Sequence, residues 1–574
     1  MAFLLYGLTI VAQLTAAHAA STAGAALCRN LPGDPGFPTQ VDWNALNASV
    51  NGRLVAVTPS AKACGALQCT EAQWTSGLFR ETIAGAMNQY NWEQDYAASP
   101  PGLCLQNGTT CSQGMVPVYA VNATSAADIQ AGVKFASAHN LRVAIKATGH
   151  DYLGRSTAKG SLLLWTQYFK NVTFTDSFVV GGVNQGSAVT VGSGVGLKAA
   201  YSAAKDVGKI IVGGTAATVA PAGGYTQGAG HSALAPIFGL AVDNALEYQV
   251  VIASGELVTL NAVSNPDLFW AIRGGGAGSW GVIISATFKT YPTYQLTIHQ
   301  VILAMNSIDL TVAVMAAHAK HIFDWDGVRA GQYYYLTNNQ DGTTNLAMWT
   351  YFSNLTDTEA TAQMAPLLTD ATALGATVFG ETTVTGFPND ILTFSAPNDV
   401  PTFSADDAAG VNLVMGSRLI PATAYLNTSN VGAAYKTLVE GGAQVILGLL
   451  VAGGKVSENV NISSAVNPKW RTAKTHVIVV NNWDDTATSA EIEAFKHKIT
   501  DEHVPALAKL TGESDSASYT NEADAREPNW KTTFYGVNYP RLLTVKAAYD
   551  PNDLFIVPTG VGSDRWDAYG VCRV

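Results

Sequence analysis

The sequence predicts an α+β fold in two large parts, on three observations. A pattern of strand, helix, strand and glycine-bearing loop occurs twice between residues 116 and 231. From about Tyr291 the texture changes to long alternating strands mixed with amphipathic helices, which predicts an antiparallel sheet backed by helices. A chain of 574 residues, 48% hydrophobic and only 13% charged, has more apolar surface than one ordinary core holds and is too poor in charge for disorder.

At the start of the chain, residues 2 to 16 are apolar or small, and Ala17-His18-Ala19 supplies the small-x-small pattern of a signal-peptidase site. Residues 1–19 therefore read as a signal peptide, too short to span a bilayer. No later segment reaches ~18 consecutive apolar residues, so no membrane association is expected. Six cysteines and seven Asn-x-Ser/Thr sequons, at Asn47, Asn107, Asn122, Asn171, Asn354, Asn427 and Asn461, point to a secreted, N-glycosylated protein. Cys28, Cys64, Cys69, Cys104 and Cys111 precede residue 112, and only Cys572 lies beyond it. The bridges are thus expected to staple a loop-rich region, 20–115, with the pairing left open. No Cys-x-x-Cys or flanking histidine pair indicates a metal. The net charge of −11, without a Lys/Arg run, speaks against nucleic acid as a partner.

Regular structure is predicted from Val116. A strand to Val121 precedes Ser125-Ala126-Ala127-Asp128, a capping box, and a helix carrying Ile129, Val133 and Ala136 on one face. A strand over 141–145 runs into Lys146-Ala147-Thr148-Gly149-His150-Asp151. The second unit has a strand at 188–191, a helix with Leu197, Ala200, Tyr201 and Ala204 on one face, a strand at 209–212, and the irregular passage 213–231. Pro266 and Asp267 mark a helix start before Gly274, and a strand follows at 282–288. Further on, strands at 332–337 and 346–352 flank Asp341-Gly342, and helices are expected near 358–374 and 490–510.

Gly276-Ala277-Gly278-Ser279-Trp280-Gly281 satisfies G-x-G-x-x-G, but a helix precedes it and a strand follows, the reverse of a dinucleotide fingerprint. His318-Ala319-Lys320-His321 reads as a surface helix, since no third ligand accompanies the two imidazoles. Two glycine loops carry more meaning. Gly149, Gly154 and Ser156 surround His150 and Asp151 after a strand, and Gly223, Gly224, Gly228 and Gly230 lead to His231. Residues without Cβ atoms let main-chain N–H groups approach a pyrophosphate or a flat ring system, so a large nucleotide cofactor is expected.

The segments 146–156, 213–231, Ala241-Val242-Asp243-Asn244 and 267–276 resemble the vanillyl-alcohol-oxidase-type flavoproteins. The ending Phe534-Tyr535-Gly536-Val537-Asn538-Tyr539-Pro540, followed by Asp550-Pro551-Asn552, resembles their berberine-bridge-enzyme-like branch. The resemblance implies a PCMH-type FAD-binding domain of two subdomains at 116–290, a substrate domain at 291–518, and a segment 519–574 completing the flavin site. It implies FAD bonded covalently through the His150 imidazole to the flavin 8α-methyl carbon. It also implies cofactor contacts from Thr148, Gly149, Asp151, Gly154, Ser156, Val219, Gly223, Gly224, Gly228, Gly230, His231, Gly281, Val282, Tyr535 and Asn538. Where bicovalent relatives carry a second, cysteinyl link this chain has Ala216, so a single histidyl link is expected. Tyr519 is the expected base or its partner, with Asn521 and His476 beside it and Asn481 and Asn482 weaker candidates. The activity implied is a secreted, monomeric oxidase that takes hydride from an alcohol, sugar or specialised metabolite and reduces dioxygen to hydrogen peroxide. The alternative is a tailoring enzyme that performs cyclisation in the flavin pocket.

Overall fold

The computed structural model describes residues 27–391, 406–512 and 516–574, so the proposed signal peptide lies outside the described residues. Three sheets organise them. The first is a mixed sheet in the order Leu54–Ala56, Tyr119–Asn122, Leu162–Trp165, Val143–Lys146, with its last three strands parallel. Helix Ala126–Ala138 crosses it, started by Ser125, whose hydroxyl caps Asp128 N while the Asp128 carboxylate caps Ser125 N. Ile129, Val133 and Ala136 bury against this sheet, as their spacing requires.

The second sheet is antiparallel and five-stranded: Leu257–Asn261, Ala245–Val251, Val282–Lys289, Ala188–Gly192 and Val172–Thr175. Helix Leu197–Asp206 packs Leu197, Ala200, Tyr201 and Ala204 inward. Helix Pro266–Ile272 precedes Gly276-x-Gly278-x-x-Gly281 and strand Val282–Lys289 follows it, as the rejection of a dinucleotide fingerprint requires.

The third sheet has seven antiparallel strands, Thr377–Gly386, Leu296–Met305, Thr344–Ser353, Gly331–Asn338, Val445–Leu450, Ala473–Trp483 and Asn412–Pro421 in spatial order. Helices Ile308–His321, Asp357–Leu374 and Thr428–Glu440 cover one face. The other face looks toward the second sheet, and its side chains share a core with it.

Three expectations change. The region 20–115 contains helices Gln40–Ser49 and Ser60–Leu67 as well as the strand Leu54–Ala56, elements too short to register as periodicity. Within 213–231 one π-helical turn, Pro221–Tyr225, continues into Thr226–Gly228. Cys64–Cys69 and Cys104–Cys111 staple the amino-terminal region, but Cys28 pairs with Cys572 because the two termini meet as an isolated antiparallel bridge. Among the described residues no helix is long and apolar enough to cross a membrane, and no group of His, Cys, Asp and Glu is placed to hold a metal.

The pair His318 and His321 is not on a solvated face. His318 is buried between its helix and the large sheet, with Nε2 2.7 Å from Gln332 Oε1, while Gln332 Nε2 donates to Thr350 Oγ1 at 2.8 Å. His321 is also buried and lies between Asp324 and Asp370. Burial lowers His318 from its ordinary 6.5 to about 4. The unfolded chain therefore binds a proton that the folded chain refuses between those limits. Stability contributed by neutral His318 is present at neutral pH and lost as pH falls through this window, by up to about 3 kcal/mol. Denaturant melts at pH 7 and pH 4.5 are expected to differ less in His318→Gln than in wild type; an unchanged difference would refute this.

Candidate active site

Strand Val143–Lys146 delivers the first glycine loop, and Lys146 fixes what lies beneath it. Its buried ammonium donates to the carbonyls of Ile83, Ala84 and Ala86 at 2.9, 2.6 and 2.8 Å. Asn88, just beyond that segment, donates its backbone N–H to Gly149 O, and its side-chain Nδ2 stands 3.1 Å from His150 Nδ1. Gly149 turns at φ +91°, and a Cβ there would sit 2.9 Å from Ala86 O. Gly154, at φ +75°, would drive a Cβ to 2.7 Å from the Trp92 ring. Both positions therefore demand glycine. Asp151 braces the loop by accepting from Arg155 Nε at 2.8 Å and Nη2 at 2.6 Å, and Arg155 Nη1 donates to Thr520 O at 3.3 Å.

A second set of groups meets the same imidazole edge. Thr218 Oγ1 is 3.4 Å and Asp407 Oδ2 3.8 Å from His150 Nδ1. Asp407 also accepts from the backbone N–H groups of Ala217 and Thr218, at 2.8 and 2.7 Å, and from the Thr218 hydroxyl. A carboxylate from the large-sheet part of the chain thus locks the loop facing His150.

Between the two glycine loops lies a cleft of about 940 Å³, open to solvent on one side. Thr148, Gly149, His150, Asp151 and Ser156 line one wall, Val219, Gly223 and Gly224 another, and Gly281 and Ile283 the floor. Ser193 Oγ and Gln227 Oε1 also line it, and both are buried without a hydrogen-bond partner. Burying such groups unpaired costs about 1–3 kcal/mol each. A polar ligand in the cleft satisfies them, and walls of backbone suit a flat, phosphate-bearing one. The residues present fit FAD.

Gly228, Gly230, Val282, Tyr535 and Asn538 stand behind the residues that line the cleft. A Cβ on Gly228 would press Asn521, and one on Gly230 would press Ala241 and Tyr225. Val282 is sealed in the core, Tyr535 donates its hydroxyl to Thr559 O at 3.0 Å, and Asn538 spans the carbonyls of Ala465 and Val466. His231 lines a second chamber. That chamber meets the cleft at His150, Tyr152, Val219, Tyr225, Tyr519 and Glu522, which line both.

Glu522, given no role in the sequence reading, is the electrostatic centre of this junction. Its Oε2 lies 3.0 Å from both His231 Nε2 and His476 Nε2. Burial opposes its charge, but the two imidazoles more than offset this and hold the carboxyl below its usual range. Burial lowers His476, with Glu522 opposing the shift. Burial, and next Glu522, raises Tyr519, which remains a neutral phenol. Asn521 Nδ2 donates to Tyr519 Oη at 2.7 Å, and Tyr519 donates to Tyr225 O at 3.3 Å. Tyr333 Oη stands 3.3 Å from His231 Nδ1. Asn481 is buried facing Gln444 N, and Asn482 is exposed near the strand's end, so neither reaches the chamber. All six cysteines are in disulfides, and Ala216 lines the second chamber.

Residues 117–261 match the family described as FAD binding domain, and residues 518–562 the family described as berberine and berberine like. The chain is 37% identical over 594 aligned positions to an uncharacterized FAD-linked oxidoreductase of Arthroderma benhamiae, covering 99% of each. It is 33% identical to a bifunctional decalin synthase of Penicillium decumbens, covering 96% of each. The crystal structure of a VAO-type flavoprotein from Myceliophthora thermophila superposes with a TM-score of 0.84 at 30% identity, covering 95% of this chain and all of that one. The chain therefore belongs to the berberine-bridge-like branch of the vanillyl-alcohol-oxidase-type flavoproteins and is an FAD-linked oxidoreductase.

Proposed function

We propose that the protein is a secreted oxidase that removes two electrons from a small molecule, passes them to FAD linked covalently to His150 alone, and returns them to dioxygen as hydrogen peroxide. The observation that carries this reading is the junction of a glycine-walled cleft and an aromatic chamber at one histidine and one carboxylate. When bound, FAD supplies the two-electron acceptor. The chain's own groups do the rest. Thr148, Gly149, Asp151, Gly154 and Ser156 bring backbone and hydroxyl donors to the cofactor, while Val219, Gly223, Gly224 and Gly281 present backbone to its flat face. Asn88, Thr218 and Asp407 orient the His150 ring. Gly228, Gly230, Val282, Tyr535 and Asn538 hold those walls in place from behind. Tyr519, fixed by Asn521, lines the junction where the reacting carbon would sit, while His476, outside both linings, holds Glu522 from behind. Three disulfides favour an oxidising compartment, and the sequons at Asn107, Asn171, Asn354, Asn427 and Asn461 are exposed for glycans.

Cyclisation in the same pocket is the second reading, favoured by the similarity to a decalin synthase. The test is direct. Acid-precipitated protein is expected to keep its yellow colour, and aerobic turnover to yield one peroxide per substrate oxidised. Turnover without peroxide or oxygen uptake would favour cyclisation. Asp407→Ala is expected to bind FAD but to lower the acid-stable fraction several-fold, because the imidazole loses the group that orients it; an unchanged fraction would remove Asp407 from this role.

A further inference from the structure

The second chamber discriminates among the substrates this activity admits. Leu197, Val219, Met415, Leu447, Leu449 and Ile478 supply its apolar wall, with Tyr152, Tyr225, Tyr333, Tyr335 and Tyr519 as flat aromatic faces. Among the described residues, no lysine, arginine, asparagine, glutamine or aspartate lines it. The hydroxyls of Tyr225 and Tyr519 are committed to His231 O and Tyr225 O. A saccharide brings many hydroxyls, and each one buried here without a partner costs about 1–3 kcal/mol. An anion would meet the Glu522 carboxylate, with no lysine or arginine lining the chamber to balance it.

Polar chemistry gathers at one spot. His231 faces Glu522, His476, Tyr333 and Tyr519, and His476 shares Glu522 with it. With Nε2–H donated to the carboxylate, His231 Nδ1 is left with a lone pair opposite the Tyr333 hydroxyl at 3.3 Å. Burial, and next the neighbouring Tyr351, raises Tyr333 well above its ordinary value, so it hands on a proton rather than standing as phenolate.

We propose that the chamber takes a neutral, largely apolar, ring-bearing alcohol whose single reacting hydroxyl is deprotonated through Tyr333 by His231, with Glu522 holding the imidazolium. This rests on the oxidase reading above. The carbon-bound hydrogen would leave with both electrons of its bond to the flavin, and the substrate's O–H proton passes to Tyr333 Oη. The proton of Tyr333 passes to His231 Nδ1, and the carbon–oxygen bond becomes a carbonyl. Dioxygen restores the flavin. Tyr333 and His231 are the catalytic residues, and Glu522 is a positioning residue.

The experiment uses the flavin-loaded enzyme without oxygen, titrated with naphthalenemethanol and with cellobiose while flavin absorbance is followed. Naphthalenemethanol is expected to perturb and then bleach the flavin, and cellobiose to leave it unchanged. Tyr333→Phe should keep the perturbation within about threefold and slow bleaching by about 100-fold or more. Glu522→Gln should lower kcat more than it raises KM. Bleaching by cellobiose, silence toward naphthalenemethanol, or undiminished bleaching in Tyr333→Phe would each overturn the proposal. Failure of the oxidase reading registers separately, as a bleached flavin that oxygen does not restore with release of peroxide.

Discussion

His150→Ala is expected to lose acid-stable yellow colour completely while still binding FAD in its native state. In the proposed attachment this side chain is the nucleophile toward the flavin, whereas the cleft walls for the rest of the cofactor come from backbone and from Thr148, Ser156 and Ser193. Removing one imidazole leaves those walls intact. Gly149 and Gly154 keep their turns because their positive φ does not depend on the neighbouring side chain. Two readouts separate the consequences. Denatured protein should carry no flavin, and kcat should fall by about tenfold or more, about 1.4 kcal/mol, because a histidyl link makes the ring more electron-poor. Since all six cysteines are paired, no thiol remains to rescue the link. Acid-stable flavin in His150→Ala would place the attachment elsewhere.

Glu522→Ala is expected to have the largest effect on turnover. The carboxylate is shared by two buried imidazoles at 3.0 Å, and without it both His231 and His476 lose the partner of their Nε2. Loss of an oriented general base lowers kcat by about 100- to 10,000-fold. Stability should also fall by about 1–3 kcal/mol, because fully buried His476 loses the acceptor of its Nε2–H. Steady-state kinetics and thermal melts on the same preparation read both effects. Turnover within threefold of wild type would show that proton removal proceeds by another route.

Much of the flavin half was legible because its signals are local. Ser125 and Asp128 are three residues apart and cap one helix, Pro266 opens another, and the glycine loop of His150 is contiguous. The groups that complete the site are not local. Asn88 lies 62 residues and Thr218 68 residues from His150, and Asp407 reaches it from the other half of the chain. Tyr333 meets His231 across 102 residues, where strand Gly331–Asn338 turns one face toward the flavin half. Alternation along that strand says that Tyr333 and Tyr335 share a face, but not what the face meets. Glu522 sat in plain view beside Tyr519, yet a lone carboxylate in a loop carries no signal until two imidazoles are seen to converge on it. His318 escaped for a related reason, since its helix is apolar nearly all round and periodicity cannot separate a solvated face from one packed on a sheet.

The bridge between Cys28 and Cys572 makes the chain a covalent ring of nearly its full length, 544 residues from one sulfur-bearing residue to the other. A protease that cuts one exposed loop opens this ring without releasing a fragment. On a gel, a singly nicked protein migrates as one species until a reductant is added. In an extracellular setting rich in proteases, the segments that build the flavin cleft, drawn from both ends of the sequence, stay tethered after such a cut.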